Sequence, residues 1–333
     1  MKNIYNLKFK AMEVREEESG FKSKIVEKRI GNLPKGEVII RVKYSSLNYK
    51  DALSASGNRG VTKKYPHIPG IDAAGEVLYS ESEALKKGDK VIVTGYDLGM
   101  NTPGGYGQYI SVPADWVVKL PEDLTLRESM MYGTAGFTAA LSVYYLKERV
   151  NQKDGDVLVT GGTGGVAGIA IRILSKIGYK VVASTGKLEK SKDLKSLGAY
   201  EVIHRKELDI ENKKPLLKGR WSGVIDTVGG NTLSTALRSV KMGGAVTSCG
   251  NVAGHEFYAS VYPFILRGIT LYGVNSAETP MEKRLKIWKL LSGEWKLENL
   301  DTSVEEVKLE ELKGRIDDML KGKLVGRVIV NME

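Results

Sequence analysis

A chain of 333 residues is long for a single core and suits two domains, at roughly 150 residues each. Its 42% hydrophobic and 27% charged residues are ordinary globular composition, no apolar run approaches the ~18 residues of a membrane span, and the single cysteine, Cys249, excludes an internal disulfide or a zinc cluster of several thiolates. The formal charge of +10 asks for anionic partners. Because the cations are scattered, without long runs or interleaved aromatics, they fit a phosphate-rich cofactor and substrate, or a solvated basic surface, better than nucleic acid.

Met1 to Met12 alternates apolar residues with Lys2, Lys8 and Lys10 and has no apolar signal region, so a cytoplasmic protein with no membrane association is expected. Residues 37 to 48 alternate as a half-buried strand does. Turns at Gly57 to Gly60, Pro69-Gly70, Gly88-Asp89 and Gly104 to Gly107 separate further short strands, including Val91 to Thr94 and Tyr109 to Val112. This spacing predicts a compact antiparallel domain to about residue 120.

Ala135 to Tyr145 has the length and apolar spacing of a helix. Beyond it, Asp156 to Thr160, Lys180 to Ser184, Glu201 to Ile203, Gly223 to Asp226, Gly244 to Ser248 and Thr270 to Val274 are short apolar runs of the kind buried on both faces of a parallel sheet. They alternate with helical or irregular stretches such as Val166 to Ile177, which predicts a doubly wound parallel sheet. An amphipathic segment, Leu309 to Leu320, and a last strand, Gly326 to Val330, form a tail able to finish either domain.

Between the strand at Asp156 and the helix at Val166 lies Gly161-Gly162-Thr163-Gly164-Gly165-Val166-Ala167, in which Gly162, Gly164 and Ala167 fit G-x-G-x-x-G/A. One glycine makes the tight turn, a second admits the pyrophosphate to the backbone, and the small third residue allows close helix–sheet packing, with the phosphates at the helix N-terminus. The second strand ends not in the Asp or Glu that would bind the ribose hydroxyls of NAD but in Ser184-Thr185-Gly186-Lys187. Hydroxyls and a cation suit the 2'-phosphate of NADP, the alternative being a solvated loop lysine.

Four segments, Pro69-Gly-Ile-Asp-Ala-Ala-Gly75, Lys87-Gly-Asp-Lys-Val91, Gly104-Gly-Tyr-Gly-Gln-Tyr109 and the glycine loop, make the chain similar to the medium-chain dehydrogenase/reductase superfamily over nearly its whole length. The resemblance implies an α/β protein with a β-rich GroES-like catalytic domain (1–122), a doubly wound Rossmann NADP-binding domain (123–268), and a C-terminal segment (269–333) returning to the catalytic domain. In the zinc members a metal-binding cysteine falls where this chain has Asn48, and a His-Glu pair where it has Ile71-Asp72. No zinc site is expected, His67, His204 and His255 being far apart in the chain.

Ser45-Ser-Leu-Asn-Tyr-Lys-Asp-Ala-Leu53, Gly133-Thr-Ala-Gly-Phe-Thr-Ala139, Ile225-Asp-Thr-Val-Gly229 and Pro263-Phe-Ile-Leu-Arg267 resemble the zinc-free YhdH/YhfP-type quinone oxidoreductases, which include acrylyl-CoA reductases. Departures are Ala167 for a usual glycine, Lys187 for arginine and Asn275 for aspartate. The resemblance implies hydride transfer from NADPH to an enoyl-CoA or a quinone, in a homodimer. It sets Asn48 and Tyr49 against the nicotinamide, Tyr49 as cofactor contact or proton donor, and makes Asn251, Ile265, Ser276 and, less directly, Arg220 cofactor contacts. The glycine loop (Gly162, Thr163, Gly164, Gly165, Val166) and Ser184 to Lys187 complete the expected site. Taken alone, Asn48 could equally cap a turn and Tyr49 pack in a core; Asp72 reads as a structural Asx residue bonding nearby backbone, and Cys249 as a buried, inert thiol. A non-catalytic NADPH-binding protein is the remaining alternative.

Overall fold

The computed structural model describes residues 4–211 and 214–333, so Lys2 of the N-terminal stretch lies outside it. The chain divides into two compact units: Met1–Thr134 with Ala277–Ser292 and Glu298–Glu333, and Ala135–Ser276 with Gly293–Leu297.

In the first unit, β1 (Lys8–Glu17) and β2 (Gly20–Arg29) form a long antiparallel hairpin. Next come β3 (Val38–Ser46), α1 (Tyr49–Ala55), β4 (Asp72–Ser80), β5 (Lys90–Thr94), β6 (Tyr109–Val112) and β7 (Val118–Lys119). The helix α2 (Leu126–Leu146) carries the chain into the second unit, bending at Gly133.

The second unit follows the order β8 (Val157–Val159), α3 (Gly165–Lys176), β9 (Val181–Thr185), α4 (Ser191–Ser196), β10 (Glu201–His204), β11 (Trp221–Asp226), α5 (Gly230–Arg238), β12 (Val240–Ser248), α6 (Tyr262–Arg267), β13 (Thr270–Gly273). The chain then returns to the first unit through α7 (Met281–Ser292), β14 (Val304–Lys308), α8 (Leu312–Leu320) and β15 (Arg327–Asn331).

The main sheet of the first unit runs β14-β15-β3-β4-β5-β7. Its pairs are antiparallel except β14 with β15, and β6 shares an edge of β3 with β15. Alternating side chains of these strands, Val38, Ile40, Val42, Val91, Val93, Ile110, Val328 and Val330 among them, meet in one apolar core, each worth ~1.5–3 kcal/mol when fully buried.

The second unit is built differently. Its six strands are all parallel, in the order β10-β9-β8-β11-β12-β13. Helices cover both faces, so β8 is buried at every position, which is why it reads as an unbroken apolar run. Numbered within the unit the order is 3-2-1-4-5-6, and it reverses between β8 and β11. A doubly wound sheet opens a ligand crevice beyond the carboxyl ends of its strands at that point.

Candidate active site

At the mouth of that crevice the chain leaves β8 through Thr160 and Gly161. Gly161 has φ +66, backbone that favours glycine; it, and not Gly162, makes the tight turn, a residue the pattern match passed over. Gly162 serves close packing: its N–H donates to the Ser184 carbonyl at 2.8 Å, and a Cβ there would come 3.3 Å from Ala183 and Leu194. Gly164 is the N-cap of α3, Gly165 and Val166 open it, and Ala167 is buried against the sheet. The unsatisfied first-turn N–H groups of a twelve-residue helix thus face the place where a pyrophosphate is expected.

Across the crevice Asp226, the last residue of β11, organises the opposite lip. Its carboxylate accepts from Thr160 Oγ1 (2.8 Å) and from Gly229 N–H (2.9 Å), while Thr227 N–H donates to Thr160 Oγ1 at 2.9 Å. Burial pushes the Asp226 carboxyl pKa up.

The cluster expected to read the ribose phosphate lies at the carboxyl ends of β9 and β10. Ser184 and Thr185 are buried, and Thr185 Oγ1 accepts the Lys187 N–H at 3.0 Å, so that hydroxyl shapes the turn. Gly186 is exposed and Lys187 half-buried. Arg205, which the sequence pattern missed, lies directly on Gly186, and a Cβ at Gly186 would meet its Nε at 2.9 Å. The parallel register, His204 beside Thr185, brings it there. A guanidinium of this kind, exposed at a strand end, suits bidentate phosphate binding.

Arg220 immediately precedes β11, stacks over Trp221 at 4.2 Å and pairs with Glu201 (3.7 Å) and with Glu207 (3.3 Å), which follows β10 two residues after Arg205. Asn251 is exposed beyond β12, and Ser276 is half-buried beyond β13. Ile265 is exposed on α6 between those strands. The Cys249 thiol donates to the Asp226 carbonyl at 3.4 Å and burial pushes its pKa up to about 12, leaving it inert at neutral pH.

In the first unit Asn48 caps α1 and Tyr49 is its first residue. Tyr49 is 44% exposed, so it is no core residue. Asn48 is buried, and its amide donates to Asp72 Oδ2 at 2.8 Å while its carbonyl oxygen accepts from Arg327 at 3.2 Å. Asp72 does not act as an Asx residue bonding nearby backbone: its carboxylate accepts also from Ser46 Oγ (2.5 Å) and, 62 positions along the chain, from Thr134 N–H (2.8 Å) and Thr134 Oγ1 (2.5 Å).

Asp51, fully buried nearby, accepts from the N–H groups of Asn48, Gly70 and Ile71. Burial, with the Asp72 charge second, pushes its carboxyl up to about 7. Asn48, at the position of the zinc enzymes' cysteine, is thus bonded to Asp72, while the position of their histidine is Ile71. Among the described residues no three His, Cys, Asp or Glu side chains group so as to hold a metal, and no helix is long and apolar enough to cross a membrane.

Comparison with known proteins agrees with this architecture. Residues 34–122 match the alcohol dehydrogenase GroES-like domain, and residues 165–292 match the family described as zinc-binding dehydrogenase. The chain is 48% identical over 303 residues to the putative quinone oxidoreductase YhfP of Bacillus subtilis, covering 90% of this chain and 92% of that one. The crystal structure of B. subtilis yhfP with NAD bound superposes with a TM-score of 0.95 at 44% identity, covering 98% and 100%. Acrylyl-CoA reductase AcuI of Ruegeria pomeroyi is 41% identical over 97% of this chain and 99% of that protein. The yhdH oxidoreductase from Salmonella enterica, in complex with NADP, gives a TM-score of 0.95 at 36% identity, covering 97% and 100%. The chain belongs to the medium-chain dehydrogenase/reductase superfamily, in its YhdH/YhfP-type family of oxidoreductases.

Proposed function

We propose that the protein is a zinc-independent reductase that uses NADPH to transfer hydride to an activated carbon–carbon double bond, such as that of acrylyl-CoA or a related enoyl thioester. One observation carries the zinc independence and, with it, the acceptor class. Asn48 is engaged by Asp72 and Arg327 and Ile71 has no donor atom, leaving among the described residues no donor set with which a metal could polarise an alcohol or ketone. An acceptor that is already electron-poor fits such a site.

NADPH is the cofactor, and it supplies the hydride when bound. The chain's part is to hold and orient it. Gly161 to Val166 would take the pyrophosphate, and Lys187 with Arg205 the 2'-phosphate. Asn251, Ile265 and Ser276 are proposed as the remaining contacts. The exposed Tyr49 hydroxyl would hydrogen-bond cofactor or substrate and so orient them. Asn48, fully engaged by its neighbours, holds the loop that presents Tyr49.

The substrate of AcuI, as its name prints it, supports the thioester, and the +10 charge suits a phosphate-bearing CoA. The YhfP name supports a quinone instead. NADPH oxidation followed by absorbance, with acrylyl-CoA and a small benzoquinone side by side, decides between them. We expect kcat/KM to favour the thioester by about tenfold or more, because binding energy from the remote CoA body can be used at the reacting carbon. Preference for the quinone would reverse the assignment, and turnover of neither would leave a nucleotide-binding protein.

A homodimer is proposed on separate grounds. Val252, Phe257, Tyr258, Val261, Tyr262 and Leu266 are all exposed on the chain between β12 and β13, and β13 is an edge of the parallel sheet. A second copy would cover both the apolar residues and the unpaired edge. Light scattering should give the mass of two chains; a single-chain mass at micromolar concentration would remove the dimer.

A further inference from the structure

Arg327 opens β15, far along the chain from α1, yet the residue is 5% exposed and its guanidinium is committed to the loop that starts that helix. Nη1 donates to the Leu47 carbonyl at 3.0 Å and to Asn48 Oδ1 at 3.2 Å, Nη2 to Ser46 Oγ at 2.7 Å, and Nε to the Met131 carbonyl at 3.3 Å. Ser46 Oγ passes the link on to Asp72, whose other oxygen holds Thr134. Three consecutive residues, Ser46, Leu47 and Asn48, are thus each gripped by a buried charged side chain immediately before Tyr49.

Such an arrangement is expensive to build. Burying a guanidinium and two carboxyl groups is unfavourable before their bonds are counted, and an apolar plug would fill the space as well. What the charges add is direction, since each bond fixes one atom of the 46–48 segment at a set angle. Tyr49 itself makes no contact with the cluster in the bonds described, so any effect on it passes through the backbone.

We propose that Asp72 and Arg327, bridged by Ser46, are positioning residues that hold the entry of α1 and so set where the Tyr49 hydroxyl is presented. The part concerning Tyr49 rests on its proposed role in orienting cofactor or substrate; the clamping of residues 46–48 does not.

Hydrogen exchange and a double-mutant cycle separate the two. In the full-length protein without cofactor, Asp72→Asn and the milder Ser46→Ala should each speed amide exchange in residues 47–53 by about tenfold, while peptides of the parallel-sheet unit exchange as before. Unchanged exchange in 47–53, in either folded variant, overturns the clamp. Turnover is then read with whichever acceptor the wild type reduces. Ser46→Ala should lower kcat by about tenfold, the scale on which small misplacements act, and the same change made in a Tyr49→Phe background should lower it by less than about twofold. Equal losses in both backgrounds would mean that the cluster does not act through Tyr49. Should the wild type reduce neither acceptor, the proposed function fails while the exchange result still decides the clamp.

Discussion

Arg205→Glu is expected to raise the dissociation constant for NADPH by about ten- to a hundredfold and to leave that for NADH nearly unchanged. The size follows from the loss of a charge-assisted bond, ~1.5–3 kcal/mol, with repulsion added where a carboxylate faces phosphate. The place follows from the fold. Parallel pairing sets His204 beside Thr185, so the residue after each strand emerges at the same end, and Arg205 rests on the bare backbone of Gly186. No side chain could be added at Gly186 without moving the guanidinium.

Lys187→Glu should act in the same direction and less strongly, because lysine is a point charge without the guanidinium fork. The comparison also has a practical edge, since one close structural relative carries NADP and another NAD. Fluorescence titration with both nucleotides measures the ratio. If Arg205→Glu weakens NADPH and NADH equally, the 2'-phosphate is not read at the ends of β9 and β10.

Gly133→Ala should destabilise the protein by about 3 kcal/mol or more. Gly133 has φ 50 and ψ −155 inside α2, a region that costs side-chain-bearing residues ~1–3 kcal/mol. A Cβ there would also stand 2.5 Å from both Asp72 Oδ2 and Ser46 Oγ and 2.8 Å from the Arg327 guanidinium. Those atoms cannot retreat without leaving a buried charge short of its partner. The bend serves the same cluster, because it turns the Thr134 N–H and hydroxyl onto Asp72.

For a unit of about 150–250 residues such a loss lowers the unfolding temperature by about 6–12 °C, which circular dichroism on heating would record. A shift of less than about 2 °C would mean that the bend relaxes freely and that the cluster tolerates intrusion. Activity lost without any change in unfolding temperature would instead tie Gly133 to the presentation of Tyr49.

Much of the architecture is legible in the chain because the two kinds of sheet leave different marks. Strands buried on both faces, such as Val157 to Val159 and Val181 to Thr185, are nearly continuous apolar runs between glycines and helices. Strands with one wet face alternate, as at Val38 to Ser46. The marks fade where burial is slight. In β2 no residue is buried, α1 is only seven residues long, and β14 has one buried position; none of the three leaves a readable period in the sequence. Within the glycine loop the spacing located the crevice but not the turn, since five of the seven residues from Gly161 to Ala167 are small enough to match several ways, and only the backbone angle marks Gly161.

By itself, then, the sequence determined what local pattern can carry: a doubly wound unit after an antiparallel one, a dinucleotide loop between its first strand and helix, an amide and an apolar residue, Asn48 and Ile71, where the zinc enzymes carry cysteine and histidine, and a cation at the end of the second strand. The tertiary structure decided everything that depends on residues distant in sequence. It put Arg205 beside Gly186, paired Arg220 with Glu201 and Glu207, and joined Arg327 to Asn48 across 279 positions. The reason is physical. A hydrophobic period or a glycine turn is set by each residue's own neighbours, whereas a buried charge is held by whichever partners folding brings within about 3 Å of it, and no spacing along the chain records them.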